Sequence, residues 1–452
     1  MTNLAALYAA HTAVLNARTD AALAATGCES LAIYAGRAKL QFLDDQPYSF
    51  KVNPHFKSWV PLLNAPESWL IYRPSTALQL VLLQPADFWH KPPELPNDYW
   101  TAKLEIKVIR EAADARTHLQ SLHRCAFIGE WQDEFASWGF TEINPAKLLD
   151  QLHYPRARKT EYELACMRLA AARGANGHRA AEHAFRAGAS EFAIHLAYLE
   201  ASQHVEAELP YGNIIALNAN AAVLHYQYQS KQAPRERRSF LIDAGAEVAG
   251  YASDITRTYS AADDDFQSLV NGMNELQLAL CSQVRSGIDY AQIHLEAHRG
   301  IAALLKQHGI IDMEAGDAVA SGLSSVFFPH GIGHLLGLQV HDVAGFMVHP
   351  DGTLKAQPAG HPFLRLTRNL EPGFVVTIEP GLYFIDLLLE QARNSGHASH
   401  INWKTVDHFR PFGGIRIEDN VACTEGEPEN LTRNAFEKQA NWPTGQRKDA
   451  PL

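Results

Sequence analysis

The distribution of apolar and polar residues divides the chain into two parts with different patterns. In residues 1–155, short apolar runs rich in β-branched and aromatic residues alternate with helical or proline-rich stretches, which is typical of a mixed α/β domain. The predicted strands are SLAIYAG (30–36), WLIYRP (69–74), ALQLVLLQP (77–85) and CAFIGE (125–130). The segment 88–100 contains too much proline to lie inside a helix or strand.

The remainder of the chain begins with a long helical stretch from Thr160 to about Arg186. Two helices near 160–205 precede β-rich segments, and two more near 263–309 precede a second β-rich region that contains many glycines and histidines. This order predicts an α+β domain with internal pseudo-symmetry over residues 156–438. The polar segment 439–452 is predicted to be a poorly ordered tail.

Length and composition favour two folded domains and a cytoplasmic protein. The 452 residues exceed a single ordinary core, and 46% hydrophobic with 20% charged residues is typical of globular proteins. The net charge of −11 and the lack of Lys/Arg clusters argue against nucleic acid as a partner. The sequence contains neither an apolar run long enough for a membrane span nor a secretory signal pattern. Five scattered cysteines indicate a reducing compartment.

Two aspartates in β-rich sequence form the first candidate chemical group. Asp243 ends the run LID, and Asp254 follows eleven residues later in YASDITRT. An antiparallel hairpin that turns within Gly245–Gly250 would bring the two side chains together. An aspartate in an apolar strand is costly unless it is paired or bound to metal. Considered alone, the two residues could equally be aspartates of a turn or rim.

Three histidines within twelve residues form the second group. His330, His334 and His341 lie in PHGIGHLLGLQVHD, where glycines alternate with them. Glycines allow a close approach of the backbone, and imidazoles supply metal ligands and proton carriers. Packing alone does not explain this density of histidine and glycine, so the segment is predicted to be functional.

Two later apolar runs carry further charged residues. Glu379 ends FVVTI and precedes a Pro-Gly turn, which predicts a buried acid at the end of a strand. Arg416 and Glu418 alternate with isoleucines and therefore share one face of a strand. Considered alone, Arg416 and Glu418 are typical of a surface ion pair.

Together, these groups predict a metal centre with four carboxylates and one histidine. Carboxylates collected in one pocket without cations would repel one another, and some of them would protonate. Two divalent ions would balance the four negative charges. The oxygen-rich ligand set favours Mn²⁺, with Co²⁺, Fe²⁺ or Zn²⁺ as alternatives.

In this order, the blocks Asp…Asp, HGIGH…HD, IEPGLY and RIED resemble a known enzyme family. This is the creatinase-like, pita-bread metallopeptidase family, which contains methionine aminopeptidase, aminopeptidase P and prolidase. In addition, FLDDQPYSFKVNPHFKSW (42–59) resembles the amino-terminal domain of bacterial prolidases, a subgroup that includes organophosphorus acid anhydrolases. The resemblance implies a pita-bread catalytic domain preceded by a smaller α/β domain, with a boundary near residue 155.

The resemblance also implies roles for the matching residues. The implied metal ligands are Asp243, Asp254, His334, Glu379 and Glu418, with Asp254 and Glu418 bridging two ions. The implied catalytic residues are Glu379 as the proton carrier, His330 and His341 beside the scissile group, and Arg416, which orients the carboxylates. Hydroxide shared by the two ions would attack the carbonyl carbon before proline.

The segment between His341 and Glu379 favours a dipeptidase within this family. Glu379 follows His341 by 38 residues, which is longer than expected for aminopeptidase P, and the segment carries Arg365 and Arg368. An arginine here resembles the prolidase clamp for the free carboxylate of a dipeptide. We therefore predict hydrolysis of Xaa-Pro dipeptides with Arg368 as the clamp, and a side activity on organophosphorus esters. A solvated loop cation is the alternative for Arg368.

Two other functions stay open at this point. Aminopeptidase P, which releases the amino-terminal residue of longer Xaa-Pro peptides, shares the two-domain plan. A binding module that has lost its metals is the non-enzymatic alternative, and the intact set of five ligand positions argues against it.

The resemblance further implies a set of substrate-binding residues and a homodimer. The substrate pockets would be lined by Tyr211, Leu224, His225, Val340, Tyr290 and Leu364. For His225, a satisfied core histidine is the alternative, and for Tyr290 and the aliphatic residues it is ordinary core packing. Asp44 or Asp45 would reach the active site of the neighbouring subunit.

Overall fold

The computed structural model describes residues 3–440, which form two compact units. The first unit contains Met1–Cys166 with the short segments Ala249–Tyr251 and Met347–Leu354, and the second contains the rest of the chain. The tail predicted at 439–452 lies outside the described residues from position 441 onward. None of the helices in the described chain has the length and apolar character needed to cross a lipid bilayer.

The first unit is built on one mixed sheet. Its strands are β1 (Ser30–Tyr34), β2 (Trp69–Tyr72), β3 (Leu78–Leu83), β4 (Leu104–Ile109), β5 (Cys125–Ile128) and β6 (Glu142–Ile143). Its helices are α1 (Leu4–Thr26), α2 (Pro54–Lys57), α3 (Arg116–Leu119) and α4 (Ala146–Arg156). The strand order is β4-β3-β2-β1-β5-β6. The four strands predicted from the sequence are all present, as β1, β2, β3 and β5.

Aromatic side chains fill the core of the first unit. Tyr34 and Trp69 are register partners in the antiparallel pair β1–β2, and their ring centroids lie 4.6 Å apart. Phe135 packs edge-on against Trp69 at 5.0 Å, and Phe127 lies at 5.9 Å. Each of these buried side chains contributes about 1.5–3 kcal/mol by leaving water. Because the central strands are buried along their whole length, their sequences are continuous apolar runs rather than alternating ones.

The second unit alternates pairs of helices with strands. Helix α5 (Glu161–Arg186) begins in the first unit and continues into the second. The other helices are α6 (Glu191–Ser202), α7 (Asp265–Cys281), α8 (Tyr290–Gln307), α9 (Ala315–Ala320), α10 (Ser324–Phe327), α11 (Asp386–Arg393), α12 (Trp403–Phe409) and α13 (Leu431–Ala440). The strands are β7 (Ile214–Leu217), β8 (Ser239–Asp243), β9 (Glu247–Val248), β10 (Tyr251–Ala252), β11 (Thr256–Ser260), β12 (Val375–Ile378), β13 (Gly381–Tyr383), β14 (Gly414–Arg416), β15 (Asp419–Ala422) and β16 (Glu429–Asn430).

Helices α7 and α8 begin at aspartate caps, as their sequences dictate. The side chain of Asp264 accepts a hydrogen bond from the amide of Gln267, and Asp289 caps α8 in the same way. In α8, the apolar residues recur every three or four positions and form a buried face. His294 and His298 lie one turn apart on that same buried face.

Strand ends from three small sheets converge in the second unit. The sheets are β11-β8-β7, β12-β15-β16 and β13-β14. Asp243 pairs with Thr256 at the end of β8, and an isolated bridge then joins Thr256 to Glu418. Glu379 directly follows β12, and Glu418 directly precedes β15. The acidic residues predicted as ligands therefore lie at neighbouring strand ends.

Candidate metal centre

Four of the predicted ligands form one cluster in the second unit. Asp254, His334 and Glu418 each offer one ligand atom within 4.8 Å of the other two. The Nε2 atom of His334 lies 3.5 Å from Asp254 Oδ2 and 3.6 Å from Glu379 Oε1. Asp254, His334 and Glu418 are buried, and Glu379 is half-buried.

Asp243 joins the cluster through the hydroxyl group of Tyr211. The Tyr211 oxygen lies 2.8 Å from Asp243 Oδ1 and 2.5 Å from Asp254 Oδ1. A hydroxyl has one proton, so it donates to one carboxylate at a time and lies between the two. The aspartates therefore lie together, although the register pairs Asp243 with Thr256 rather than with Asp254. Tyr211, predicted to line a substrate pocket, contacts these two carboxylates, and its role in a substrate pocket stays a prediction.

The imidazole of His334 has the orientation of a metal ligand. Its Nδ1 atom lies 3.0 Å from the carbonyl oxygen of Leu335, which only accepts hydrogen bonds, so Nδ1 carries the proton. Nε2 therefore faces the carboxylates. Burial lowers the pKa of His334, but the hydrogen bond to Asp254 and the charge of Glu379 outweigh it and raise this pKa. Without a cation, Nε2 therefore donates to Asp254, and a metal ion would take the place of that proton. A histidine that binds metal through one nitrogen usually donates its other N–H in this way.

Gly333 is required for the histidine segment to lie against β12. Its φ is +148°, and a Cβ at this position would lie 2.3 Å from the carbonyl oxygen of Thr377. The same Cβ would lie 2.4 Å from the hydroxyl of Tyr290, which donates to Thr377 O at 2.6 Å. Tyr290 is completely buried and supports this segment from the core. Its burial agrees with core packing, the alternative to a role in a substrate pocket.

Arg416 connects the carboxylates to His330. Its Nη2 donates to Asp243 Oδ2 at 2.7 Å, and its Nη1 donates to the Tyr383 oxygen at 2.8 Å. Because that oxygen accepts from arginine, its own proton faces His330 Nε2 at 2.9 Å. His330 Nδ1 then donates to the carbonyl of Gly331. Burial, with the charge of Arg416, lowers the pKa of His330 to about 3, so this imidazole is neutral.

Two polar residues that the sequence pattern did not predict hold the ligand residues in position, one through a carboxylate and one through the backbone. Thr256 Oγ1 donates to Glu418 Oε2 at 2.7 Å. The side chain of Asn420 accepts from the amide of Asp254 and donates to its carbonyl oxygen. Each lies two residues after a predicted ligand, on the same strand face. A polar side chain at that spacing within apolar sequence is the signal that could have identified both.

A buried ion network fixes the backbone at Glu418. Arg257 Nη2 lies 2.7 Å from Asp419 Oδ1, and Arg433 Nε lies 2.6 Å from Asp419 Oδ2. Arg257 also donates to the carbonyl oxygen of Glu418 at 2.8 Å. Although burial raises the pKa of Asp419, the two arginines outweigh this effect and lower it to about 2. Asp419 therefore stays charged and paired beside the ligand position.

The cluster carries more negative charge than its surroundings stabilise. Burial raises the pKa of Glu418 well above its usual range, and the neighbouring carboxylates act in the same direction. Burial also raises the pKa of Glu379 to about 7, although His334 opposes this shift. The pKa of Asp243 is likewise raised by burial. Buried carboxylates that resist ionisation, beside an imidazole nitrogen that faces them, are a donor set that fits two divalent cations.

We expect the metal-free protein to lose stability as the pH rises through neutrality. The pKa of Glu379 is about 7 in the folded protein against an ordinary 4.5. Because the folded value is raised, the stabilisation is complete below about pH 4.5 and is lost as the pH rises through 7. The difference corresponds to about 3 kcal/mol. Calorimetry of metal-free protein should show Tm falling between pH 5 and 8.

The Glu379→Gln variant, which cannot ionise at this position, is the control for that experiment and should show a smaller fall in Tm. Saturation with a divalent metal should also reduce the fall. A Tm of the metal-free protein that is constant across this pH range would contradict the expectation.

The open side of the cluster carries two further histidines. The ring of His341 lies 4.4 Å from that of His334, nearly perpendicular to it, and its side chain is exposed at one edge. Partial burial, with the charges of His334 and Arg365, lowers the pKa of His341 to about 4. His225 is also exposed, and its electrostatic effect lowers the pKa of both His330 and His341. His225 is therefore not a core histidine, which was the alternative to a role in substrate binding.

Arg368 has other partners than the one predicted. Its side chain is 2% exposed, its Nη2 lies 2.9 Å from Glu371 Oε1, and its guanidinium covers the ring of Phe374 at 4.7 Å. An arginine enclosed in this way presents no open face to a substrate carboxylate. Arg365, three residues earlier, is exposed and acts on the pKa of His341. The arginine exposed beside His341 is therefore Arg365, whereas Arg368, the clamp predicted from the sequence, is enclosed by Glu371 and Phe374.

The remaining predicted substrate residues differ in exposure. Leu224 and Val340 are half-buried, whereas Leu364 is buried, which agrees with core packing for this leucine. Asp44 belongs to the first unit, is exposed, and accepts a hydrogen bond from the amide of Gln46. Its role in a neighbouring subunit stays a prediction.

Comparison with known sequences gives matches along almost the whole chain. Residues 165–425 match the metallopeptidase family M24, and residues 6–154 match the family described as Xaa-Pro dipeptidase, N-terminal domain. A protein named Xaa-Pro dipeptidase from Xanthomonas euvesicatoria pv. vesicatoria is 50% identical over 436 residues, which cover 96% of this chain and 98% of that protein. A protein of the same name from Stenotrophomonas maltophilia is 50% identical over 433 residues, which cover 95% of this chain and 97% of that protein.

Solved structures show the same fold at lower sequence identity. Aminopeptidase P from E. coli with the inhibitor Pro-Leu aligns with a TM-score of 0.70 and 23% identity, over 92% of this chain and 94% of that one. Proline aminopeptidase P II from Yersinia pestis aligns with a TM-score of 0.70 and 23% identity, over 96% of this chain and 97% of that one. The predicted fold class, a pita-bread domain preceded by a smaller domain, is confirmed. The chain belongs to the metallopeptidase family M24.

Proposed function

We propose that this protein is a dipeptidase that hydrolyses the bond between any residue and a carboxyl-terminal proline. The observation that carries the proposal is the buried cluster of carboxylates around the Nε2 atom of His334. The chain that folds into this cluster is 50% identical, over nearly its full length, to proteins named Xaa-Pro dipeptidase. The structures of aminopeptidase P, at 23% identity, support the fold alone.

Membership of a metallopeptidase family implies divalent metal ions. In our proposal, two ions are held by Asp243, Asp254, His334, Glu379 and Glu418. When bound, they supply Lewis acidity and an activated water. We propose Mn²⁺ because four of the five ligands are carboxylates, with Co²⁺, Fe²⁺ and Zn²⁺ as alternatives.

Glu379 is the proposed proton carrier. Its raised pKa, about 7, suits a group that accepts and releases a proton near neutral pH. Glu379 takes a proton from the attacking water and delivers one to the prolyl nitrogen. This delivery is necessary because an amide nitrogen leaves poorly until it is protonated. The Xaa-Pro bond itself has no N–H by which an ordinary peptidase could hold it.

Neutral imidazoles and one arginine complete the proposed machinery. His341, with a pKa of about 4, is neutral at cellular pH and donates its N–H to the oxyanion that develops on the scissile carbonyl. The ring of His330 is held in place by Tyr383 and Gly331. Arg416 holds Asp243 and Tyr383 in position rather than contacting the substrate.

A substrate panel tests the function directly. With Mn²⁺ present, Xaa-Pro dipeptides should be cleaved much faster than Xaa-Pro-Yaa tripeptides or carboxyl-amidated dipeptides. The physical reason is that the free carboxylate of a dipeptide lies one residue beyond the scissile bond, within reach of a fixed cation. Efficient cleavage of tripeptides would instead assign the chain as an aminopeptidase P, and a lack of all peptide cleavage would refute both enzymes.

Replacing Arg365 with alanine should specifically impair dipeptide cleavage. An arginine binds a carboxylate through two parallel hydrogen bonds. Because Arg365 is exposed, the expected loss lies near the lower end for a charge pair, about 2 kcal/mol or roughly 30-fold in kcat/KM. Hydrolysis of an uncharged phosphotriester, proposed as a side activity, should be unchanged.

Arg368→Ala is the matched control for Arg365→Ala. It removes the buried pairing with Glu371 and the contact with Phe374, so we expect a lower Tm without a change in selectivity for dipeptides over carboxyl-amidated dipeptides. The reverse pattern would restore Arg368 as the clamp. In that pattern Arg365→Ala leaves dipeptide cleavage unchanged, and Arg368→Ala loses the selectivity for dipeptides over carboxyl-amidated dipeptides.

We also propose a role for each domain and for assembly. Residues 1–155 would serve oligomerisation and the active-site rim, and residues 156–438 would carry catalysis. We propose a cytoplasmic homodimer in which Asp44 reaches the site of the other chain. The five cysteines, which are all unpaired, support a reducing location. Light scattering at several protein concentrations tests the dimer.

A further inference from the structure

A second group of histidines lies outside the carboxylate cluster, in the same unit. His294 and His298 come from the buried face of α8, and His361 comes from the segment between His341 and Glu379. One nitrogen from each ring lies within 4.8 Å of the other two. His294 Nε2 and His361 Nδ1 are 2.9 Å apart, and the ring centroids are separated by 4.6–4.7 Å.

Hydrogen bonding among these histidines leaves one atom unsatisfied. His294 is 1% exposed, and its Nδ1 has no hydrogen-bond partner among the described residues. Whichever way the proton lies between His294 and His361, this nitrogen stays buried without a partner, at a cost of about 1–3 kcal/mol. A metal ion bound at Nε2 would leave this cost in place, so it is the convergence of the three rings that points to a ligand.

The rings supply neutral ligands rather than charges. Burial lowers the pKa of His294 to about 2 and that of His298 to about 3, and the nearby histidines act in the same direction. Each neutral ring therefore has one nitrogen with a lone pair, and the hydrogen bond between His294 Nε2 and His361 Nδ1 occupies one of these lone pairs until a cation replaces it. His298 already has an outer partner of the kind that a ligating histidine uses, since its Nδ1 lies 2.9 Å from Ser324 Oγ.

We propose that His294, His298 and His361 form a third metal site, which binds Zn²⁺ with a water in the fourth position. Three imidazoles without a carboxylate favour Zn²⁺ over the harder ions that suit the carboxylate cluster. Nitrogens bound to tetrahedral zinc at 2.0–2.1 Å are about 3.3 Å apart. The nitrogens here lie between 2.9 Å and 4.8 Å apart, so small side-chain rotations complete the geometry.

Three protein ligands and a water are also the pattern of catalytic zinc sites, but this group lacks the general base that a second hydrolytic centre would need. In HLEAH (294–298), Glu296 is exposed on the opposite face of α8 and forms an ion pair with Arg299. No carboxylate among the described residues therefore joins the three histidines as a general base. Zinc would instead fasten the segment of His361 to α8.

This fastening affects the open side of the carboxylate cluster through one chain segment and one ring contact. Arg365 lies four residues after His361 in the fastened segment. The ring of Phe328 packs at 4.7 Å from His298 and at 4.8 Å from His330. The consequence for substrate binding rests on the proposed roles of Arg365 and His330, whereas zinc binding itself does not.

Zinc stoichiometry tests the site. Wild type, His361→Asn and His308→Asn would each be stripped of metal, saturated with zinc, passed through gel filtration and analysed by mass spectrometry. His361 is the half-buried member of the group, so its replacement carries the least risk to folding. His308 is a half-buried histidine at the end of the same helix and outside the cluster, which makes it the matched control.

We expect His361→Asn to retain about one zinc ion per chain fewer than wild type and His308→Asn. Its affinity at this site should fall by more than the roughly 100-fold that follows loss of an outer partner. Equal zinc content in all three proteins would overturn the proposal. The difference in zinc content between the variants does not depend on how many ions the carboxylate cluster holds. The third site can therefore be refuted without refuting the proposed function, and the reverse also holds.

Two further measurements complete the test. Anomalous diffraction at the zinc edge from wild-type crystals should give a peak between the three histidines, and the lack of a peak would overturn the site without reliance on any variant. In the active enzyme, His361→Asn should raise KM for dipeptides more than for carboxyl-amidated dipeptides. An equal change in both would refute the link to Arg365.

Discussion

Replacing Asp254 with asparagine should lower kcat/KM for Xaa-Pro dipeptides by more than about a thousandfold, beyond the loss from one oxyanion donor. Asparagine preserves the shape of the side chain and the acceptor for Tyr211, but it removes one of the four negative charges. Two divalent ions would then be held by an incomplete set of charges. We expect lower metal content together with the loss of activity.

Asp264→Asn provides the control for this substitution. It makes the same chemical change at the cap of α7, where asparagine serves as well as aspartate. Metal content, Tm and kcat/KM should therefore match wild type. Chelation of the wild type should reproduce the Asp254→Asn defect, and Mn²⁺ or Co²⁺ should reverse it. Wild-type activity in a demonstrably metal-free sample would refute the metal-dependent mechanism.

Replacing Glu379 with glutamine should lower kcat by about 10²–10⁴-fold, the contribution of a positioned proton carrier. Glutamine retains an oxygen ligand beside His334 but cannot transfer the proton. KM should change much less than kcat, because the residue acts on the reaction rather than on binding. The measurement is steady-state kinetics at saturating Mn²⁺, with metal content determined on the same samples.

Glu390→Gln, an exposed position on α11, is the control for the loss of a negative charge and should be kinetically silent. If Glu379→Gln kept full metal content and a normal kcat, the proton would have to travel by another residue. His330 and His341 would then be the remaining candidates in the cluster.

The strands and helices that the sequence predicted are those with a strong periodic or continuous apolar signal. Strands β1, β2, β3 and β5 are buried along most of their length, so each appears as an unbroken apolar run. Strand β4, with the sequence LEIKVI, was not predicted, because it lies at the sheet edge and two charged residues interrupt its apolar run. Its Glu105 and Lys107 are half-buried partners in an ion pair.

Residue types in the candidate site were predictable, but side-chain directions outside regular structure were not. In LRLTR (364–368), Leu364 and Leu366 face inward and Arg365 faces outward, as in a strand, yet the buried pairing of Arg368 depends on Glu371 and Phe374. The second group of histidines joins residues 67 positions apart in sequence. Only the spacing of His294 and His298, one helical turn, was visible beforehand.

The alternation along β14 and β15 has a consequence for how this enzyme can be engineered. Arg416, Glu418 and Asn420 face the carboxylate cluster, whereas Ile417 and Asp419 support it from the buried side. A deletion or insertion of one codon here would exchange the two faces and destroy both. Libraries for directed evolution should therefore preserve length between 415 and 421 and place their diversity in the exposed part of the segment around Arg365.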